Sequence, residues 1–214
     1  MVNKVTTAAV IGLDAYNVTV ETDVLGGLPA FSIVGLPDAA INEARDRVRS
    51  AIRNSGFTFP AKKVVINLAP ADLKKEGSNF DLPIAIGLLI EEEVLNEEKL
   101  NDFAFIGELS LDGSLREVTG VLPLILGLKN FGIKNIFVPA INAQEAALAG
   151  DVNIFGANCL AEVVNHFSDN PIKPTIIDIN NYLSEGSKQD FVYDFKDVKG
   201  QQKAKRALEI AAAG

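Results

Sequence analysis

The sequence predicts an α/β (α+β) domain, and three observations carry that expectation. Short runs rich in Val, Ile and Thr recur between residues 4 and 156, and segments with apolar residues at helical spacing fall between them. An apolar content of 48% over 214 residues is ample for a packed core.

Each element has a local reason. Residues 4–12 and 16–24 alternate polar and apolar positions on either side of Asp14, which predicts a hairpin, and FSIVG (31–35) predicts a third short strand. A helix follows: Asp38 is a fair N-cap, Ile41, Ala44, Val48 and Ile52 form an apolar stripe, and Gly56 stands where a C-terminal cap belongs. At about 100° per residue, Arg45, Arg49 and Arg53 run down one flank of that stripe. KKVVINLAP (62–70) is almost continuously apolar, as a strand central in its sheet would be. LPIAIGLLI (82–90) is apolar nearly all round and predicts a buried helix. In FAFIGELSLDGSLREV (103–118), Asp112-Gly113 between two strand-like runs predicts a two-residue hairpin turn. Beyond it come a helix over 120–131, a strand over 135–140, a helix over 143–148, a strand over 152–156 and an amphipathic helix over 159–166.

The first domain is therefore expected to span residues 1–167. Residues 168–190 carry two prolines, several Asn and Asp and a Ser/Gly patch without any sustained period, which is linker composition. Order resumes over 191–214 with a run of helix formers, QQKAKRALEIAAAG. No window approaches 18 uninterrupted apolar residues and the N-terminus lacks a signal-peptide core, so a cytoplasmic protein without membrane association is expected.

Net charge is −8, which argues against a general nucleic-acid binder, but the distribution is uneven. Residues 45–75 hold four Arg and four Lys against Asp46 and Asp72, a net +6 against −14 for the remainder. Such asymmetry marks a face for an anionic partner or a solvated basic face. Cys159 has no second cysteine to pair with and is expected to be a small buried apolar residue. One thiol and one histidine, His166, supply neither a zinc set nor a Cys–His pair, so no metal site is expected.

Ser78 is the obvious nucleophile candidate, because GSNFD stands between a strand and a buried helix. A serine hydroxyl needs a base within hydrogen-bond reach. His166 sits in a late helix where a structural or surface role is expected, and Lys74 and Lys75 show no sign of burial that would lower their pKa. Asp81 reads as the N-cap of helix 82–90, accepting from the Ile84 amide, in preference to a catalytic pair with Glu108. The chain has no Gly-Lys dipeptide and hence no G-x-x-x-x-G-K-[ST] loop, and GGLPAFSIVG has the wrong spacing for G-x-G-x-x-G. Glu91–Glu93, Glu97 and Glu98 read as a solvated helix end.

GLPDAAINEARDRVRSAIRNSGF, FPAKKVVINLAPADLKKEGSNFDLPIAIGLL, FIGELSLDGSLREVTGVLPL and DFKDVKGQQKAKRALEIAAAG together resemble the magnesium-chelatase-like AAA+ ATPases of the ComM/YifB type. The resemblance covers essentially the whole chain. It implies an N-terminal domain of the ribosomal-protein-S5 domain-2-like, Lon-protease-like fold, then a linker and the start of an AAA+ domain cut just before its Walker A loop. Beside the Lon-type segments, Asp81 falls at the catalytic serine and Leu122 at the catalytic lysine, so the resemblance implies a non-proteolytic module with no catalytic residue. It also implies a homo-hexameric, ATP-driven DNA translocase, associated with branch migration and natural transformation. ATP and magnesium would serve the complete protein and no cofactor this part of it. In the tail, Val198 and Gly200 are implied on the adenine side.

The leading expectation is thus a DNA-binding or assembly module, with Arg49, Arg53, Lys62 and Lys63 as phosphate contacts to single-stranded or branched DNA. A divergent Lon-like peptidase using Ser78 with Lys74 or Lys75, and a chaperone or metal-chelatase subunit, are the other readings.

Overall fold

A computed structural model describes residues 2–12, 14–168, 170–177 and 194–213. The chain divides into one compact unit, Met1–Ile177, and a second, Asp178–Gly214.

The first unit is built on a seven-stranded sheet. Its strands are β1 (Asn3–Ile11), β2 (Asp14–Leu25), β3 (Ala30–Val34), β4 (Lys63–Ala69), β5 (Phe103–Phe105), β8 (Asn135–Pro139) and β9 (Asn153–Ala157), with β6 (Glu108–Leu109) and β7 (Leu115–Arg116) in a separate two-stranded ribbon. The order across the sheet is β3-β4-β2-β1-β5-β8-β9. β2 runs antiparallel to both β1 and β4, and every other neighbouring pair in the sheet is parallel. Five α-helices pack around it: α1 (Ala39–Asn54), α2 (Asp81–Glu91), α3 (Val121–Asn130), α4 (Ala143–Ala147) and α5 (Leu160–His166).

Alternation along the strands sorts side chains into two cores. Phe105, Phe137 and Phe155 join Val5, Val18, Val20, Ile66 and the buried faces of α1, α2 and α5. Ala8, Ala104, Ile136, Val138 and Ile154 point the other way, onto α3 and α4. The result is a three-layer α/β/α arrangement with short parallel strands covered on both faces. α2 has ten consecutive buried residues, from Asp81 to Ile90, because α1 covers the side that the sheet does not.

Two strand expectations change in detail. β4 is second from the edge, not central, and it alternates buried with half-buried positions, because α1 and α2 cover one face of it. The ribbon turn is not a two-residue one. The Gly113 amide donates to Ser110 O at 3.0 Å and the Ser110 amide to Ser114 O at 2.8 Å, which closes a three-residue loop with Gly113 at φ +89°. The glycine accepts the left-handed conformation, so the Asp-Gly signal marks the loop correctly and its length wrongly.

Cys159 is half-buried rather than buried, since it sits at the non-helical residue before α5, paired by an isolated bridge to Ser114. His166 has a structural place. Its ring makes edge contacts with Phe103, Phe137 and Phe155, its Nδ1 accepts from the Ile172 amide at 3.0 Å, and burial lowers its pKa. The expected linker 168–190 lies largely outside the described residues. Its early part runs on against the sheet, where the Thr175 amide donates to Ile154 O of β9 at 2.7 Å.

Close approaches set the layer spacing. Gly87 of α2 lies against Thr22 Oγ1 and Val5, Gly127 of α3 against Ala15, and Gly35, at φ +97°, against the backbone carbonyl of Leu68. Thr22 Oγ1 is buried with no hydrogen-bond partner. A Gly87→Ala side chain would overlap that oxygen, so we predict destabilisation of roughly 1–3 kcal/mol by urea unfolding, outweighing about 1 kcal/mol of helix propensity. Adding Thr22→Ala removes both the overlap and the orphaned hydroxyl and should restore most of the loss; an additive double variant would show that the contact does not limit the packing.

Candidate functional site

The basic segment becomes a groove through the phase of α1. Asp38 caps the helix, its carboxylate accepting from the Ile41 amide at 2.8 Å, while Ile41, Ala44, Val48, Ala51 and Ile52 are buried. That leaves Arg45, Arg49 and Arg53 exposed on one flank, spaced by about 6 Å of helical rise per step. Gly56 turns the chain back, and residues 59–62 return alongside the helix towards β4. Between them and Pro29–Phe31 lies a groove of about 110 Å³ lined by Arg45, Arg49, Arg53, Phe31, Phe59 and Lys62. The Arg49 guanidinium lies 5.6 Å from the centre of the Phe59 ring, and Phe59 in turn stacks on Phe31 with centroids 6.3 Å apart. Among the described residues, Arg49, Arg53, Lys62 and Lys63 have no carboxylate within ion-pair distance.

Three of the four expected phosphate contacts, Arg49, Arg53 and Lys62, thus meet in one groove. Lys63 is exposed at the start of β4 but does not line it. Arg45 joins the set by its i, i+4 phase with Arg49, a signal already present in the sequence. Phe31 and Phe59 come from two segments whose proximity no local pattern reports.

Arg47, on the same helix, turns inward. Its Nε donates to Asp81 Oδ2 at 2.7 Å and its Nη2 to Asp81 Oδ1 at 3.0 Å and to Ala40 O at 3.0 Å. The Leu109 amide donates to Asp81 Oδ2 at 3.2 Å. This corrects the capping expectation: Asp81 is the first residue of α2, Phe80 holds the cap position with no side-chain hydrogen bond, and the carboxylate is fully buried. Burial pushes the Asp81 carboxyl up to about 6, against the pull of the Arg47 guanidinium, while the same pairing raises the pKa of Arg47.

Ser78 opens onto a cleft of about 270 Å³ with Asn79, Glu76, Glu108, Glu117 and Thr119. Its hydroxyl donates to Glu108, which also lies 3.8 Å from Arg116. Neither lysine serves as its base. Lys74 is exposed and paired with Glu76 at 2.6 Å. Lys75, contrary to expectation, is fully buried: its Nζ donates to Gly35 O and Pro70 O, and desolvation lowers its pKa. The two dyad positions do not meet either. Asp81 lies among α1, α2 and the ribbon, whereas Leu122 packs half-buried against the core beneath α3, on the opposite face of the sheet. Asp81 and Glu108 are near enough to interact electrostatically, but the carboxylate of Asp81 is committed to Arg47.

In the second unit, α6 (Gln202–Ala213) follows a short turn, Phe195–Asp197. Val198 is exposed and its carbonyl accepts from Lys205 Nζ; Gly200 has φ +70°. These residues offer an apolar side chain and backbone and no phosphate cradle, so by themselves they do not fit ATP or its magnesium ion. Among the described residues no three His, Cys, Asp or Glu side chains group to hold a metal, and no helix is long and apolar enough to cross a membrane.

The family model for subunit ChlI of Mg-chelatase matches residues 20–142. Competence protein ComM of Haemophilus influenzae is 43% identical over 206 residues, 96% of this chain and 40% of that protein. YifB of Escherichia coli is 43% identical over 213 residues, 97% of this chain and 40% of that protein. Lon protease 2 of Bacillus subtilis is 27% identical over 139 residues, 63% of this chain and 25% of that protein. The chain spans 40% of the length of the ComM and YifB relatives.

The Asp81–Arg47 pair yields two expectations. Arg47→Met strands a buried carboxylate and should lower unfolding free energy by about 3–5 kcal/mol. Because the folded Asp81 carboxyl titrates above its unfolded value, its stabilising effect is present at acid pH and lost as pH rises through about 6. Acidification from pH 7 to pH 5 should therefore stabilise the natural chain relative to Asp81→Asn by about 1 kcal/mol in paired thermal melts. His166 has the opposite sign but is common to both chains and cancels.

Proposed function

Since the chain belongs to the Mg-chelatase ChlI family, the magnesium-chelatase-like AAA+ group that includes ComM and YifB, we propose that it is the DNA-engaging module of an ATP-driven DNA translocase. In this reading the first unit has the S5 domain-2-like fold also found in Lon-type proteases and has no proteolytic role. Its weak similarity to Lon protease 2 supports the fold, and the residue types at Asp81 and Leu122, a carboxylate and a hydrocarbon, supply neither a hydroxyl nucleophile nor an amine base. The motor, with its ATP, its magnesium ion and its assembly as a homo-hexamer, belongs to the complete protein working in the cytoplasm. A competence relative is consistent with DNA as the substrate.

The observation that carries the proposal is the groove of Arg45, Arg49, Arg53 and Lys62, with Lys63 beside it, on a chain of net charge −8. Arg45 has Asp46 at 4.0 Å, whereas Arg49, Arg53, Lys62 and Lys63, without a carboxylate at ion-pair distance among the described residues, keep their full attraction for an external anion, and phosphate neutralisation would release counterions.

The test is DNA affinity as a function of salt. Reversing Arg49, Arg53, Lys62 and Lys63 to Glu should abolish most binding and flatten the slope of log K against log salt by about 3 for a single strand. Weak binding with the same slope in both proteins would remove the groove from the DNA path.

A further inference from the structure

We propose that this groove takes one unpaired nucleobase, stacked on a plate formed by Arg49 and Phe59, and so favours single strands over duplex. The inference rests on the DNA reading and gives it a substrate class.

The argument begins with what a purely electrostatic face would look like. Phosphate contacts need flexible cations in water, and α1 supplies these as Arg45 and Arg53. Arg49 differs from them. Its guanidinium carbon lies 5.6 Å over the Phe59 ring, and Phe59 stacks with Phe31 at an interplanar angle of 24°. Both groups line the groove, and Arg49 is exposed with no ion-pair or hydrogen-bond partner among the described residues, so its planar guanidinium is open to a ligand. Guanidinium planes and aromatic rings are the two surfaces on which proteins stack unpaired bases.

The surroundings fit a nucleotide. Lys62 and Arg53 line the same groove and can meet the flanking phosphates. Pro29 and Ala30, which also line the groove, are uncharged and apolar, suited to a sugar edge or base edge. A volume of about 110 Å³ is of the size of one flat heterocycle. In a duplex the base faces are covered by their neighbours, so duplex could use only the cations. Arg49 is the contact, and Phe59 is a positioning residue that holds the guanidinium by cation–π attraction.

The experiment compares oligothymidylate with an abasic strand of equal length and charge, by fluorescence anisotropy on the whole chain. The natural chain should bind the abasic strand roughly tenfold more weakly, the loss of about one stacked base. Arg49→Lys keeps the charge but not the plane, and Phe59→Leu keeps the apolar contact but not the ring; each should erase the difference between the two strands. Phe59→Trp should retain it, which separates stacking from damage to the fold. If the natural chain binds both strands equally while charge reversal still abolishes binding, the stacking plate is overturned and the phosphate reading survives. A difference that persists in Arg49→Lys and Phe59→Leu places the base elsewhere and likewise overturns it. If no strand binds at all, both fail together.

Discussion

The buried pair of Arg47 and Asp81 is the constraint on which the arrangement depends. It joins positions 34 residues apart, one on α1 and one at the start of α2, and it draws in the Leu109 amide of the ribbon. A carboxylate taken wholly out of water is tolerated only with its hydrogen-bonding capacity filled, and here a bidentate guanidinium and a backbone amide fill it. The pair is therefore a poor source of net stability and a strong specifier of geometry. With Arg47 held inward, the positions two residues either side, Arg45 and Arg49, are rotated by about 200° and must face out. The basic groove is a consequence of where one arginine is fixed.

The same fixing keeps two charge populations apart. Glu76, Glu108 and Glu117 surround the Ser78 cleft, while the arginines of α1 gather beside Phe59. Arg47 lies within electrostatic reach of Glu43, Asp81 and Glu108, and none of these three carboxylates lines the groove. A chain of net charge −8 thereby retains a surface of the opposite sign. The rest of the fold acts as a frame for that surface, with α2 filling the space between α1 and the sheet and the aromatic cluster around His166 closing the far end.

Much of this was legible in the sequence, and the failures share one cause. The stripe of α1, its Asp38 cap, the β1–β2 hairpin and the all-apolar α2 follow from short-range spacing, which periodicity reports directly. Asp81 did not, because a carboxylate at a helix start looks like a cap whether or not a guanidinium waits 34 residues upstream. Lys75 failed likewise: its two acceptors, the carbonyls of Gly35 and Pro70, belong to loops whose approach only the tertiary fold creates. At the candidate site, the arginines were readable from their four-residue repeat. Their aromatic floor, built from Phe31 and Phe59 on separate segments, was not.

The glycines at the layer contacts differ in what stands against them, and that difference bears on how the sequence can drift. Gly127 is blocked by the side chain of Ala15, and so is conditionally fixed: a methyl becomes tolerable there once Ala15 has itself become glycine, and the two positions form an ordered path. Gly35 is blocked by the carbonyl of Leu68, which every residue type carries. No prior substitution at position 68 opens the way. The fold thus contains side-chain contacts that evolution can renegotiate in two steps, at Gly127 as at Gly87, and a backbone contact at Gly35 that it can only preserve.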